Sequence, residues 1–341
     1  MNADGSYFRP LVQVGPARPD TALELAGGWG WFTHVEVLGR GQATQVIPAA
    51  GLPADVSNRL TTIRADIAGL SMDRARVMGI LNATPDSFSD GGVNAAAADA
   101  VTSGVGMQAA GADLLDVGGE STRPGAETVA DGDEIQRVAP VIQGLRAAGV
   151  TCPISIDTRK AAVAQAAHAA GANVVNDVSG FTYDAALAPF CAAQNLPVCV
   201  MHALGDPATM QRDPRYENVL LDVYDFLERQ IQMLEAAGIP RARIIADPGI
   251  GFGKTLQHNL TLLARLSLFH GLGVPILLGA SRKRFIGTIG HAPQAVARAP
   301  GSIGVALAAL AHGIQMLRVH DVPQTIQAIA LWRAAVVGTE T

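Results

Sequence analysis

The sequence predicts an α/β protein of the (β/α)8, or TIM-barrel, class with an appended N-terminal α+β segment. Three observations carry this. From Val77 onward, eight short apolar runs recur, each ending in a polar residue. Helical stretches separate them, many rich in alanine; in Val219–Ala237, Leu220, Val223, Leu227, Ile231 and Leu234 share one face. Eight such units fill roughly 260 residues, the size of one barrel. Strands alternating with helices imply parallel pairing through βαβ crossovers. A doubly wound open sheet is the runner-up, but it normally has fewer strands and a single switch-point site.

Residues 1–72 read differently and are expected to form a separate appended segment, packed on the barrel or at a dimer contact. Leu11–Val14 and Phe32–Leu38 have strand character, the second with period-two alternation. Trp29 and Trp31 sit in a Gly-Gly-Trp-Gly-Trp cluster, which suits a packing patch better than a ligand platform. Asp55–Leu70 is expected to be a helix, with Leu60, Ile63, Ile67 and Leu70 along one side.

Residues 73–341 are expected to form the barrel. Its strands are Val77–Leu81, Leu114–Val117, Ile154–Ile156, Val174–Val175, Val198–Met201, Ile244–Ala246, Ile276–Leu278 and Met316–Val319. The residues at or just beyond their ends are Asn82, Asp116, Asp157, Asn176, His202, Asp247, Ser281 and Arg318 with His320. A single Asp after a strand is usually a helix cap. Polar tips in all eight units exceed what capping needs, and in a barrel they converge on the C-terminal face, where such enzymes build their sites.

Composition narrows the function classes. At 49% hydrophobic and 16% charged, the 341-residue chain has ample material for a core. Its net charge of −5 argues against a general nucleic-acid surface, so an anionic substrate needs local basic residues. Cys152, Cys191 and Cys199 are scattered without metal-ligand spacing and read as core thiols. No apolar run reaches about 18 residues, so no membrane span is expected. The N-terminus has no secretory h-region, and a reducing cytoplasm is the expected compartment.

Asp247-Pro-Gly-Ile-Gly-Phe-Gly-Lys-Thr255 invites a nucleotide reading and fails it. A phosphate loop needs glycine six residues before Lys254, where Pro248 stands. The strictly alternating Gly249, Gly251 and Gly253 also miss the dinucleotide spacing. Glycines after a buried Asp suit a backbone that passes close to a flat ring.

Val77–Gly92, with Asn82-Ala-Thr84 and Pro85-Asp-Ser-Phe88, resembles the first signature of the dihydropteroate synthase family. Asp116-Val-Gly-Gly-Glu-Ser-Thr-Arg-Pro-Gly-Ala126 resembles the second. Further matches follow in the family's order: Ser155–Thr158, Val175–Asp177, Asp247–Gly249 through Lys254, Ser281–Lys283 and Arg318–Asp321. The resemblance runs from Val77 to the C-terminus. Its one noted departure is Ala83, where the family more often has Val.

The resemblance implies a folate-pathway transferase that joins a pterin diphosphate to p-aminobenzoate, releasing diphosphate. It implies pterin contacts from Asp157, Asn176, Met201, Asp247, Phe252 and Lys283. The polar members have the right chemistry: Asp247 accepts two parallel hydrogen bonds, Asn176 donates and accepts, and Lys283 donates to the carbonyl oxygen and ring nitrogen. Diphosphate contacts would come from Asn82, Thr122, Arg123, Arg318 and His320, with arginine suited to bidentate phosphate binding. The p-aminobenzoate pocket would be Phe88, Thr122, Pro124, Ser281 and Lys283. Asp157, Lys283 and Arg123 are the implied catalytic residues. Asn82 would be a neutral oxygen ligand to Mg2+, the implied cofactor, shared with the substrate. A homodimer is a further implication of the resemblance, and sulfonamides, which resemble p-aminobenzoate, are expected to compete for its pocket.

Two other classes compete. A pterin-dependent methyltransferase serving a corrinoid protein would share Asp157, Asn176 and Asp247, but not the Thr84–Gly92 loop, Arg123 and the Arg318/His320 pair. A non-catalytic pterin-binding member would have lost some polar positions, and here all are filled.

Overall fold

The computed structural model describes residues 5–83, 92–121, 128–205 and 209–338, with the backbone alone for 92–96. The N-terminal segment contains β1 (Tyr7–Pro10), β2 (Leu23–Glu24), β3 (Trp31–Phe32), β4 (His34–Leu38), β5 (Gln45–Pro48) and α1 (Ala54–Thr61). β1, β4 and β5 make one antiparallel sheet, and β2 pairs with β3.

Two expectations for this segment are corrected. The first strand is Tyr7–Pro10, not Leu11–Val14, where only Gln13 bridges Trp31. Tyr7 anchors the earlier strand: its ring packs edge-on to Tyr224 at 5.5 Å and its hydroxyl donates to Asp225 at 2.9 Å. The expected helix Asp55–Leu70 stops at Thr61. Arg64 is buried just beyond, and its guanidinium donates to the carbonyl oxygens of Arg59, Thr62 and His270, while Ile63 turns out to solvent. A helix continued through Arg64 would remove those partners. The tryptophans do pack: Trp29 Nε1 donates to the Leu310 carbonyl and Trp31 Nε1 to that of Gly15.

The barrel strands are β6 (Arg76–Asn82), β7 (Leu114–Gly118), β8 (Ile154–Asp157), β9 (Val174–Asp177), β10 (Val198–Met201), β11 (Ile244–Asp247), β12 (Leu277–Leu278) and β13 (Met316–Val319). They lie in the order β11-β10-β9-β8-β7-β6-β13-β12, all parallel. A parallel bridge between Ala246 and Ile276 joins the two ends and closes the barrel. Helices lie between successive strands, among them α2 (Gly92–Ala109), α3 (Asp131–Ala147), α4 (Ala161–Ala170), α5 (Leu187–Ala193) and α6 (Val219–Ala236). α7 (Leu256–Leu263), α8 (Arg284–Ile289), α9 (Ala299–Ala311) and α10 (Val322–Val337) complete the ring. Asn218 caps α6 by accepting from Leu221 N–H, so the helix begins where its apolar stripe begins.

Inside the barrel, Met78, Leu114, Cys199, Ile245, Leu277 and Met316 form an apolar layer. Ile67 and Met72, at the end of the N-terminal segment, join the same layer from the N-terminal mouth. That mouth is closed by packing. The polar inward-facing residues are left to the C-terminal mouth, where the strand tips converge.

Candidate active site at the C-terminal mouth

Strand register sets the site. Asn82 pairs with Gly118, Gly118 with Asp157, and Asp157 with Asn176, while Met201 pairs with Asp247. The tips therefore form one ring. Asp116 lies two residues below Gly118 on β7, one layer deeper.

Four of these residues form one polar cluster. Arg318 Nε donates to Asp116 Oδ2 at 2.6 Å, and its Nη2 to Asp157 Oδ2 at 2.7 Å. Asn176 Nδ2 donates to the same Asp116 oxygen at 3.2 Å. Burial pushes the Asp157 carboxyl up to about 7, against the pull of Arg318; Asp116 beside it pushes the same way. Burial opposes the charge on Arg318, but Asp116 and Asp157 outweigh it and hold the guanidinium firmly ionised. The resemblance implies a diphosphate role for Arg318; in the structure its guanidinium lies against Asp116 and Asp157.

The second cluster surrounds Asp247. Its Oδ1 accepts from Gly249 N–H at 2.7 Å, and burial pushes its carboxyl up to about 6. The Lys283 ammonium sits 4.0 Å from the centre of the Phe252 ring, a cation–π geometry. Phe252 and Met201 pack with Val178 and Met210 into an apolar wall. Gly279 joins the two clusters: a Cβ there would lie 3.3 Å from Asp247 Oδ2 and 4.0 Å from Arg318 side-chain atoms.

The glycine run is not a phosphate cradle. Lys254 Nζ is buried and donates to the carbonyls of Gly249 at 2.8 Å and Phe252 at 3.0 Å, and to His202 Nδ1 at 2.8 Å. Burial lowers the Lys254 ammonium to about 7 and keeps the His202 ring neutral, so the imidazole can accept. Gly249 has φ +68°, and a Cβ there would fall 1.9 Å from the His202 carbonyl oxygen. Lys254 thus ties the loop to the end of β10.

Ser281 and His320 form a third group. His320 N–H donates to Ser281 Oγ at 3.2 Å, and Ser281 O–H lies 3.0 Å from His320 Nδ1. Ser281 Oγ keeps a second lone pair, so whether it donates to Nδ1 or accepts from it follows the His320 tautomer. Burial lowers this imidazole to about 4, so near neutral pH the ring is uncharged. Asn82 ends β6, half-buried. Phe88, Thr122, Arg123 and Pro124 lie outside the described residues. Among the described residues no group of three or more His, Cys, Asp or Glu gathers as a metal cage.

Two features went unassigned in the sequence. Asp116 was seen as a strand tip without a role, although its place in the second signature was the available signal. Glu120, in the same signature, accepts from Val129 N–H at 3.0 Å, Arg159 at 3.0 Å and Lys160 at 2.6 Å, and Lys160 also donates to Glu134 at 2.7 Å. This buried network ties residue 120 to residue 129. No spacing rule reveals it, because its members come from three different segments.

Comparison with known proteins agrees with this geometry. The family model described as pterin binding enzyme matches residues 78–320. Dihydropteroate synthase of Escherichia coli (strain K12) is 43% identical over 271 residues, covering 80% of this chain and 95% of its own length. A structure of Xanthomonas albilineans dihydropteroate synthase with 4-aminobenzoic acid superposes with a TM-score of 0.75 at 44% identity, over 80% of this chain and 97% of that one. The same enzyme in complex with 7,8-dihydropteroate gives a TM-score of 0.71 at 42% identity, over 80% and 98%. A closed parallel barrel with buried carboxylates and an amide at its C-terminal mouth, matched at this identity over most of both chains, belongs to the dihydropteroate synthase family of pterin-binding enzymes.

Proposed function

We propose that this protein condenses 6-hydroxymethyl-7,8-dihydropterin diphosphate with p-aminobenzoate, giving 7,8-dihydropteroate and diphosphate. The observation that carries this is that Asp247 and Asn176 are both buried at the C-terminal strand tips of one barrel, together with the Lys283–Phe252 contact. A flat heterocycle with an amide-like edge needs such partners in a dry pocket. That relatives of this identity hold 4-aminobenzoic acid and 7,8-dihydropteroate supports the same substrates here.

The reaction would substitute at the 9-methylene carbon. The C–O bond to diphosphate breaks first, and the cation left behind is delocalised into the pterin ring. The aniline nitrogen then attacks and loses a proton to solvent. An aniline is a weak base, so no strong general base is needed; leaving-group stabilisation and positioning carry the rate. Asp157 would meet the far ring N–H, and an ionised Asp157 would stabilise the cation. Arg318 and the His320 ring would face the leaving group, together with Thr122 and Arg123. Ser281, Lys283, Phe88, Thr122 and Pro124 would line the p-aminobenzoate pocket.

Magnesium fits this donor set. Mg2+ typically takes one or two protein oxygens and completes its octahedron with phosphate and water, and the Asn82 amide oxygen is such a ligand. When bound, the ion would neutralise charge on the departing diphosphate. A homodimer in the cytoplasm is the expected setting. Among the described residues no helix is long and apolar enough to cross a membrane.

Calorimetry with 6-hydroxymethylpterin tests the site. The wild-type chain should bind it, and Asp247→Asn should bind more than tenfold more weakly, because an amide N–H would face ring N–H groups. Equal affinity in the two would remove Asp247 from the pocket.

A further inference from the structure

We propose that Asn259 is a positioning residue for Lys283: through the N–H of Gly251 it fixes the floor on which the lysine stem lies, and so sets where the ammonium meets the ligand. The inference rests on the pterin-binding reading above, in which Lys283 touches the heterocycle, and refines it.

Asn259 belongs to α7, in the outer ring of helices, yet it is only 4% exposed. Its Oδ1 accepts from Gly251 N–H at 2.7 Å, and its Nδ2 donates to the Thr255 carbonyl at 2.8 Å. The helix does not need the second bond, because the Thr255 carbonyl already accepts from Asn259 N–H at 3.1 Å. That bond instead holds the amide one way round. A carbonyl can only accept and an N–H can only donate, so Nδ2 faces Thr255 and Oδ1 faces Gly251. Gly251 has φ +85°, in the left-handed region that glycine adopts without strain. A Cβ there would lie 3.2 Å from Lys283 Cδ and 3.8 Å from its Cγ and Cε. The lysine stem therefore lies across the side of Gly251 where a side chain would project, and its ammonium reaches the ring of the next residue, Phe252. The two peptide groups flanking Gly251 carry this contact. Asn259 holds the N–H of one, and Gln211 Nε2 donates to the carbonyl of the other at 2.6 Å. The Gln211 contact is exposed, where water can take the donor's place; Asn259 is buried, and is the costlier of the two to lose.

The experiment measures the affinity for 6-hydroxymethylpterin by calorimetry on the full chain, for wild type, Asn259→Ala and Asn259→Asp. The alanine substitution is also made in a Lys283→Met background. Asn259→Ala should weaken binding about five- to tenfold, the effect of one lost hydrogen bond to a part-buried donor. Asn259→Asp keeps an oxygen for the Gly251 N–H while losing the donor to Thr255, and should bind within about twofold of wild type. In the Lys283→Met background, Asn259→Ala should cost less than about twofold, because the ammonium it positions is gone. A general loosening of the fold would weaken binding equally in both backgrounds. That result, equal losses in the alanine and aspartate variants, or full affinity in Asn259→Ala overturns the inference and leaves the function reading intact. Should Asn259→Ala fail to fold, or Lys283→Met bind too weakly to measure, Asn259→Asp carries the test. Affinity within about twofold of wild type then supports the inference, and a larger loss overturns it. A wild-type chain that does not bind the pterin overturns the function reading and this inference together.

Discussion

Arg318 holds Asp157 with its Nη2 at 2.7 Å while its Nε holds Asp116 at 2.6 Å, so one guanidinium spans two buried carboxylates. Both must be at least partly released from it before Asp157 can take a ring N–H and Arg318 can reach a phosphate. Removing one partner of a buried ion pair typically costs about 3–5 kcal/mol, because the other charge is left uncompensated. Arg318→Ala should therefore lose at least about 3 kcal/mol in urea denaturation at pH 8. A loss under about 1 kcal/mol would show that the bridge is not kept in solution.

The raised Asp157 carboxyl has a stability consequence of definite sign. Its usual value is 3.8 and its folded value about 7, so the folded protein binds the proton more tightly than the unfolded chain does. That contribution is complete below about pH 4 and is lost as pH rises through about 7. Asp157→Asn cannot titrate. Its melting temperature relative to wild type should therefore rise steadily between pH 5 and pH 8. A constant difference over that range would place the folded Asp157 near its ordinary value.

Lys254→Met should act through the glycine run. It would leave the carbonyls of Gly249 and Phe252 and the nitrogen of His202 without their donor. Each buried acceptor so abandoned costs about 1–3 kcal/mol, so the loss should exceed about 3 kcal/mol, and pterin affinity should fall because Phe252 moves. Normal stability would mean that water replaces the ammonium and that Lys254 does not hold the loop.

The N-terminal segment should matter to stability and not to chemistry. Met72 is buried in the apolar layer that closes the barrel's N-terminal mouth, remote from the strand tips. Met72→Ala should cost about 2–5 kcal/mol, with kcat at 25 °C unchanged in the folded fraction. A drop in kcat without a drop in stability would tie the segment to the site.

Much of the barrel was legible because each strand is buried on both faces, which leaves near-continuous apolar runs ending at polar tips. The N-terminal segment was less so. Its first strand is fixed by Tyr7 reaching Asp225, 218 residues away, and its helix is cut short by the backbone partners of Arg64. Neither contact has a local signal. In the site, the identities of Asp157, Asn176, Asp247 and Lys283 stood out from their motifs, but their partnerships did not. That Arg318 sits on Asp116 and Asp157, and that Lys254 spends its donors on carbonyls, follows from closing the barrel, which no single stretch of sequence describes.

Diphosphate release from the pterin diphosphate, measured with and without p-aminobenzoate in the presence of Mg2+, tests the central claim most directly. The proposed function predicts sustained release only with p-aminobenzoate, matched mole for mole by 7,8-dihydropteroate. Release at the same rate without p-aminobenzoate would make the protein a hydrolase, and pterin binding with no release under either condition would make it a binding protein; either result would contradict the account.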